Sequence, residues 1–293
     1  MSVTKGVLPP ITTPMTASRD IDFDALRDHI SRLERAGVHG IIPCGSTGER
    51  AMLSREEHEQ VIETTVDEAT TPVIAGTGAS STWEAVELTQ HAEDVGADGA
   101  LIIYPYYSWP ENEHAVSHYE TIADAVDIPI VIYNIPKRVA RNMEPDSVVK
   151  LAEHPNIAGI KESSGDINQM FELFKRTADM DFDVVTGYDS QAFPTYFMGS
   201  TGVTSVAANV YPKLVCDLYE AGMSRDVERG IRLHNRVLDI ESMMNLETIP
   251  ISVKQALSIL DHHEEHVRQP LCNASAETVE TLEAFLSEHP PAE

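Results

Sequence analysis

The chain has 293 residues, enough to bury the core of one barrel-sized domain or two smaller ones. Its 47 Asp and Glu against 21 Lys and Arg give a formal net charge of -26, which argues against nucleic acid or an anionic membrane as partner, since both would be repelled. Three scattered cysteines, Cys44, Cys216 and Cys272, make neither a disulfide framework nor a CxxC metal site, and fit a reducing compartment.

The acidic residues are spread along the helical segments, and Arg outnumbers Lys. The expectation is a surface adapted to high salt, as in a halophile, where self-repulsion is screened. Residues 1–10 lack a basic region followed by an apolar core. No run elsewhere approaches the roughly 18 apolar residues of a membrane span. A soluble, unprocessed, cytoplasmic protein is expected.

In chain order, short apolar runs alternate with amphipathic segments. The runs are 7–14, 39–47, 72–78, 99–107, 128–136, 157–164, 182–189 and 202–210. They start 20 to 33 residues apart, the length of a strand, a helix and two loops, so the spacing predicts a (β/α)8 TIM barrel. A doubly wound open sheet is the competing arrangement, but no GxGxxG follows the first run. Between the runs, Asp22 opens a helix over 23–37, and Ser54 with Glu57 has capping-box spacing at the start of another over 54–69. Beyond residue 224 the strand signal stops, and helices are predicted over 225–245, 251–262 and 276–288. The expected division is a barrel over 1–224 and a C-terminal helical extension over 225–293.

In such a barrel the chemistry sits where the runs end. Run six ends on Lys161, and of the seven lysines this one alone terminates a short apolar β-like run. Burial disfavours an ammonium ion, and the neutral amine is a nucleophile towards carbonyls, so Lys161 reads as a Schiff-base lysine. The plainer reading pairs it with Glu162 or lets it reach the rim. Run two ends Gly45-Ser46-Thr47-Gly48-Glu49, where hydroxyls and amides converge as they would on a carboxylate; alternatively the hydroxyls cap the next helix. Tyr133 ends run five beside Lys161, as a proton relay or as a ring filling the barrel. Arg138, just beyond, suits a second carboxylate or a surface ion pair. His262 and His266, spaced i, i+4, are read as solvated rather than as metal ligands, and Cys44 as a small buried filler.

The segments Gly45-Ser46-Thr47-Gly48-Glu49, Tyr133-Asn134-Ile135-Pro136, Lys161-Glu162-Ser163-Ser164-Gly165-Asp166 and Gly202-Val203-Thr204-Ser205-Val206-Ala207-Ala208-Asn209 together resemble the dihydrodipicolinate synthase and N-acetylneuraminate lyase family. The resemblance runs over nearly the whole chain, in order. It implies a class I pyruvate-dependent aldolase or lyase without metal or cofactor. Lys161 would form the imine, Ser46, Thr47 and Gly48 would hold the pyruvate carboxylate, and Tyr133 would relay protons. It further implies a homotetramer, a dimer of dimers, in which Tyr107 crosses a dimer contact to join Thr47 and Tyr133 in a hydroxyl relay. Gly187 and Thr204 belong to the implied substrate site.

Within the family, Arg138 and the stretch Ile249-Pro250-Ile251-Ser252-Val253-Lys254 favour the synthase branch, which condenses pyruvate with aspartate semialdehyde. Three places depart from that branch: Arg138-Val139-Ala140, Gly187-Tyr188-Asp189 and Ser108-Trp109 stand for the usual Arg-Thr-Gly, Gly-Asp-Asp and Asn-Lys. Gly187-Tyr188-Asp189 is nearer the N-acetylneuraminate lyases, which lack an arginine at the place of Arg138. The alternatives are therefore a 2-keto-3-deoxy-sugar-acid aldolase or dehydratase, with Trp109 and Tyr188 in a changed pocket, that lyase, or a non-catalytic keto-acid-binding paralogue. The joint presence of Lys161, Tyr133 and Thr47 speaks against the last.

Overall fold

A computed structural model describes residues 3–292; the outermost ends of the two expected segments, residues 1–2 and 293, lie outside it. Seven parallel strands, β1 (Gly6–Val7), β2 (Ile74–Gly76), β3 (Gly99–Ile103), β4 (Ile130–Asn134), β5 (Ile157–Glu162), β6 (Asp183–Thr186) and β7 (Gly202–Val203), pair in the order β1-β7-β6-β5-β4-β3-β2. Residues 41–42 join the two ends of that sheet, bridging Pro10 on the β1 side and Val73 on the β2 side, both in parallel. Ile41 N donates to Pro72 O and Ile42 N to Pro9 O, at 2.9 and 3.0 Å. The eighth position is thus filled by the second predicted run, and the sheet closes as the (β/α)8 barrel that the spacing predicts.

Strands buried on both faces need near-continuous apolar sequence, and this is what β3 and β4 carry. Helices α1 (Phe23–Arg35), α2 (Arg55–Glu68), α3 (Thr82–Asp94), α4 (Asn112–Ala123), α5 (Pro136–Val139), α6 (Pro145–Leu151), α7 (Ile167–Arg176), α8 (Asp189–Tyr196) and α9 (Pro212–Met223) follow the strands around the outside. The local signals for their starts hold. The Asp22 side chain accepts from Ala25 N to open α1, and Ser54 and Glu57 form a reciprocal capping box at α2.

The extension consists of α10 (Val227–Met244), α11 (Ile251–Ile259) and α12 (Ala276–Glu288). Val237, Ile240, Val253, Leu257 and Leu282 join the same apolar cluster as Val7, Ile41 and Val203 of the barrel, so the two share one core. Helix α11 stops three residues short of the predicted His262, because Asp261 turns into the left-handed region with φ +56. The helix end predicted at residue 262 is thereby corrected, and His262 and His266 do not share a helix face. His266 Nδ1 instead meets Asn273 at 3.2 Å.

Candidate active site

Strand register places Lys161 on β5 directly beside Tyr133 on β4. Both side chains are buried, and Lys161 Nζ lies 4.0 Å from the centre of the Tyr133 ring. Burial, reinforced by the positive charge of Arg138, lowers the Lys161 amine to about 7, with Asp189 acting in the opposite direction. At that value a substantial fraction of the amine is neutral at physiological pH. Burial pushes the Tyr133 phenol up to about 12, opposed by Arg138 and by hydrogen bonding with Ser46. It therefore stays protonated and able to donate.

The pairing of Lys161 with Glu162 does not occur. Alternation along the strand turns Glu162 to the other face, where Asn134 Nδ2 and Gln169 Nε2 each donate to Oε2 at 2.9 Å and Ser164 N donates to Oε1 at 2.6 Å. Lys161 is left facing the barrel mouth, where a cavity of about 710 Å³ is lined by Ser46, Thr47, Tyr133, Arg138, Lys161 and Gly187, among others. Six of the expected site residues thus meet in one space. Gly187 is required there: a Cβ on it would fall 2.0 Å from Ser163 Oγ and 2.7 Å from Lys161 Cε.

The loop carrying Ser46 and Thr47 is tightly wound, with Gly48 N and Arg50 N both donating to Gly45 O. Its hydroxyls do not cap the next helix, since Ser54 does that. Cys44 and Glu49 flank it in the left-handed region, at φ +54 and +57, a conformation that non-glycine residues hold only under outside constraint. The constraint is visible at Glu49. Its carboxylate is fully buried and pairs at 2.5 Å with Lys254 Nζ of α11, itself fully buried, while Arg268 N donates to its other oxygen at 2.9 Å. The extension therefore grips the loop from behind.

Other expected residues fall elsewhere. Gly48 turns its carbonyl to Thr13 Oγ1 at 2.8 Å, and Thr204 is buried with its N–H on Thr186 O at 3.0 Å; neither lines the cavity. Tyr107, beyond β3, is 88% exposed at φ +72 and lies outside the cavity. Tyr188 lines it and Trp109 does not. Arg138 donates to Ile249 O at 3.4 Å and has no ion pair among the described residues, so the surface-pair reading falls away. Cys44 is buried, with its thiol pushed up to about 12 by burial, as befits a filler.

Sequence reasoning assigned no role to Glu49, Lys254, Asp189 or Glu241. The Asp189 carboxylate accepts from Ser205 Oγ and from Ala207 N, and is pushed up to about 7 by burial and by Glu241 of α10. Glu49 and Lys254 both stand in segments that carry the family resemblance, but nothing in their spacing announces a pair.

Comparison with known proteins agrees with this geometry. The family model described as the dihydrodipicolinate synthetase family matches residues 3–289. The chain belongs to that family. The 4-hydroxy-tetrahydrodipicolinate synthase of Methanospirillum hungatei is 45% identical over 289 residues, covering 97% of this chain and 99% of the relative. That of Haloarcula marismortui is 44% identical, with 96% and 92% covered. Among solved structures, the dihydrodipicolinate synthase of Aquifex aeolicus superposes with a TM-score of 0.94 at 39% identity, covering 97% of this chain and 98% of that one. Membership of the family brings class I, lysine-imine chemistry with it.

Proposed function

We propose that the chain is a 4-hydroxy-tetrahydrodipicolinate synthase, condensing pyruvate with aspartate semialdehyde through an imine on Lys161. The observation that carries this is the buried Lys161, with its lowered pKa, stacked on Tyr133 in a cavity that also holds Ser46, Thr47 and Arg138. The family relatives of the same activity support it at full length.

The neutral amine adds to the pyruvate ketone while Ser46, Thr47 and their amides hold the carboxylate. Tyr133 gives a proton to the carbinolamine oxygen, which leaves as water. The iminium acts as an electron sink, so a methyl proton is lost and the enamine attacks the aldehyde carbon of the second substrate. The amino group of that substrate then attacks the imine carbon, closes a six-membered ring and releases Lys161. Arg138, at the mouth of the cavity, takes the semialdehyde carboxylate through its planar fork.

Gly187 belongs to the site because the lysine must pass close over it. Gly48 acts through the backbone of the loop, and Thr204 supports the strand end. Tyr107 completes the hydroxyl relay in a second copy of the chain, within a dimer of dimers; its exposed ring on a loop beyond β3 suits that role. Among the described residues no helix is long and apolar enough to cross a membrane, in keeping with a cytoplasmic enzyme.

A second reading, a 2-keto-3-deoxy-sugar-acid aldolase, draws on Tyr188, which lines the cavity where the synthase pattern has an aspartate. The deciding assay offers pyruvate with aspartate semialdehyde and, separately, with glyceraldehyde, in molar potassium chloride, with Lys161→Ala as control. Turnover of the semialdehyde alone supports the synthase. Turnover of glyceraldehyde alone moves the protein to the sugar-acid branch.

A further inference from the structure

Strand alternation puts Ser163 on the same face as Lys161, two residues on, with Glu162 turned away between them. Ser163 N continues the β4–β5 pairing by donating to Asn134 O at 2.8 Å, so the backbone under this side chain is fixed. The residue is 3% exposed, and its Oγ has no hydrogen-bond partner in the chain. Buried hydroxyls are rarely left in that state. Among the described residues, the buried side-chain polar atoms without a partner include just one that lines the large cavity, and it is this Oγ.

Its position relative to the reacting lysine is set by Gly187. One point above that glycine lies 2.0 Å from Ser163 Oγ and 2.7 Å from Lys161 Cε. Gly187 follows β6, on one side of β5, whereas Tyr133 stands on β4, on the other. The Tyr133 phenol serves the carbinolamine from the β4 side, and the Ser46–Thr47 loop, which follows the bridging residues 41–42 across the barrel from β5, holds the keto acid. The Ser163 hydroxyl stands beside Gly187, on the other side of Lys161 from the phenol, and lines the cavity that the second substrate must enter.

We infer that Ser163 is a further catalytic residue, whose hydroxyl donates a hydrogen bond to the aldehyde oxygen of the second substrate as that oxygen gains charge during carbon–carbon bond formation. No atom changes owner in this step: the enamine π pair forms the bond to the aldehyde carbon as the nitrogen pair restores the iminium, the carbonyl π pair moves onto oxygen, and Ser163 stabilises that charge until water supplies its proton. The inference rests on the proposed condensation but concerns its second half alone.

The test separates the two halves in Ser163→Ala, which removes the unpartnered oxygen and adds no bulk. Borohydride trapping of pyruvate on Lys161 reads imine formation by itself, and steady-state assays read the condensation. The expected result is unchanged trapping, a kcat lower by about 10²-fold, and a KM for the semialdehyde nearly unmoved, because the interaction is made as charge develops. Condensation at the unmodified rate would overturn the inference. So would a parallel loss of trapping, which would assign the hydroxyl to the imine step. Absence of any pyruvate adduct in the unmodified protein would instead sink the condensation reading itself, and the inference with it.

Discussion

Two lysines of this chain are buried, and they do opposite things. Lys161 and Lys254 are 5% and 0% exposed, and burial lowers the pKa of each. Lys254 has a partner in direct contact: its Nζ pairs with Glu49 at 2.5 Å and donates to His266 O at 2.7 Å. Lys161 has none. The carboxyl acting on it most favourably, Asp189, is itself pushed up to about 7 and so is not a firm anion near neutral pH. Burial alone does not make a nucleophile. Burial without a committed counter-charge does, and the same burial with one makes a structural clasp.

The clasp also reaches the cavity that Lys161 faces. Glu49 ends the loop that presents Ser46 and Thr47 to the cavity, and Lys254 lies in the helical extension, so the ion pair ties that loop to a segment about 200 residues away.

The comparison can be broken by substitution. The largest effect expected is Lys161→Ala, which should lower turnover by about 10⁴-fold or more, since the covalent step has no substitute; steady-state product formation checks it. Tyr133→Phe keeps the ring under the lysine and removes the proton, and should cost about 10²–10⁴-fold in kcat, read in the same assay. Lys254→Met should leave Glu49 buried and unpaired, destabilising the fold by about 3–5 kcal/mol in denaturant titration. Adding Glu49→Gln to it should recover most of that loss, which a lone packing role for Lys254 would not produce.

Smaller effects sharpen the same contrast. Lys161→Met should stabilise the protein by about 0.5–2 kcal/mol at pH 7, as functional residues often trade stability for activity. The sign follows from linkage. The folded-state pKa of Lys161 is about 7 against an ordinary 10.5, so the cost of its charge is full below about 7 and fades as pH rises towards 10.5. The advantage of the methionine variant should shrink over that window in urea melts. In the unmodified protein the rate of pyruvate trapping should rise with pH through about 7, as the neutral amine grows in.

The barrel was legible because its signals are local and repeat. Each apolar run needed only its own composition, and the run at 39–47 was readable although it forms just the bridging residues 41–42. Lys161 and Tyr133 were legible for the same reason: each ends a run, and neighbouring runs in a parallel barrel become neighbouring strands. The Glu49–Lys254 pair was not, because sequence separation hides a contact that only the packing of the extension creates. The end of α11 was misplaced because Asp261 carries no strong stop signal, yet adopts the left-handed turn. Ser163 stood in plain sight two residues after Lys161, but its missing partner is a fact of packing and cannot be read from spacing.

The most direct test of the central claim is peptide mapping by mass spectrometry after the protein is incubated with pyruvate and reduced with borohydride. The account predicts one pyruvate adduct, on the peptide carrying Lys161, with Lys254 unmodified. An adduct on Lys254 or another lysine, or none on Lys161, would contradict it.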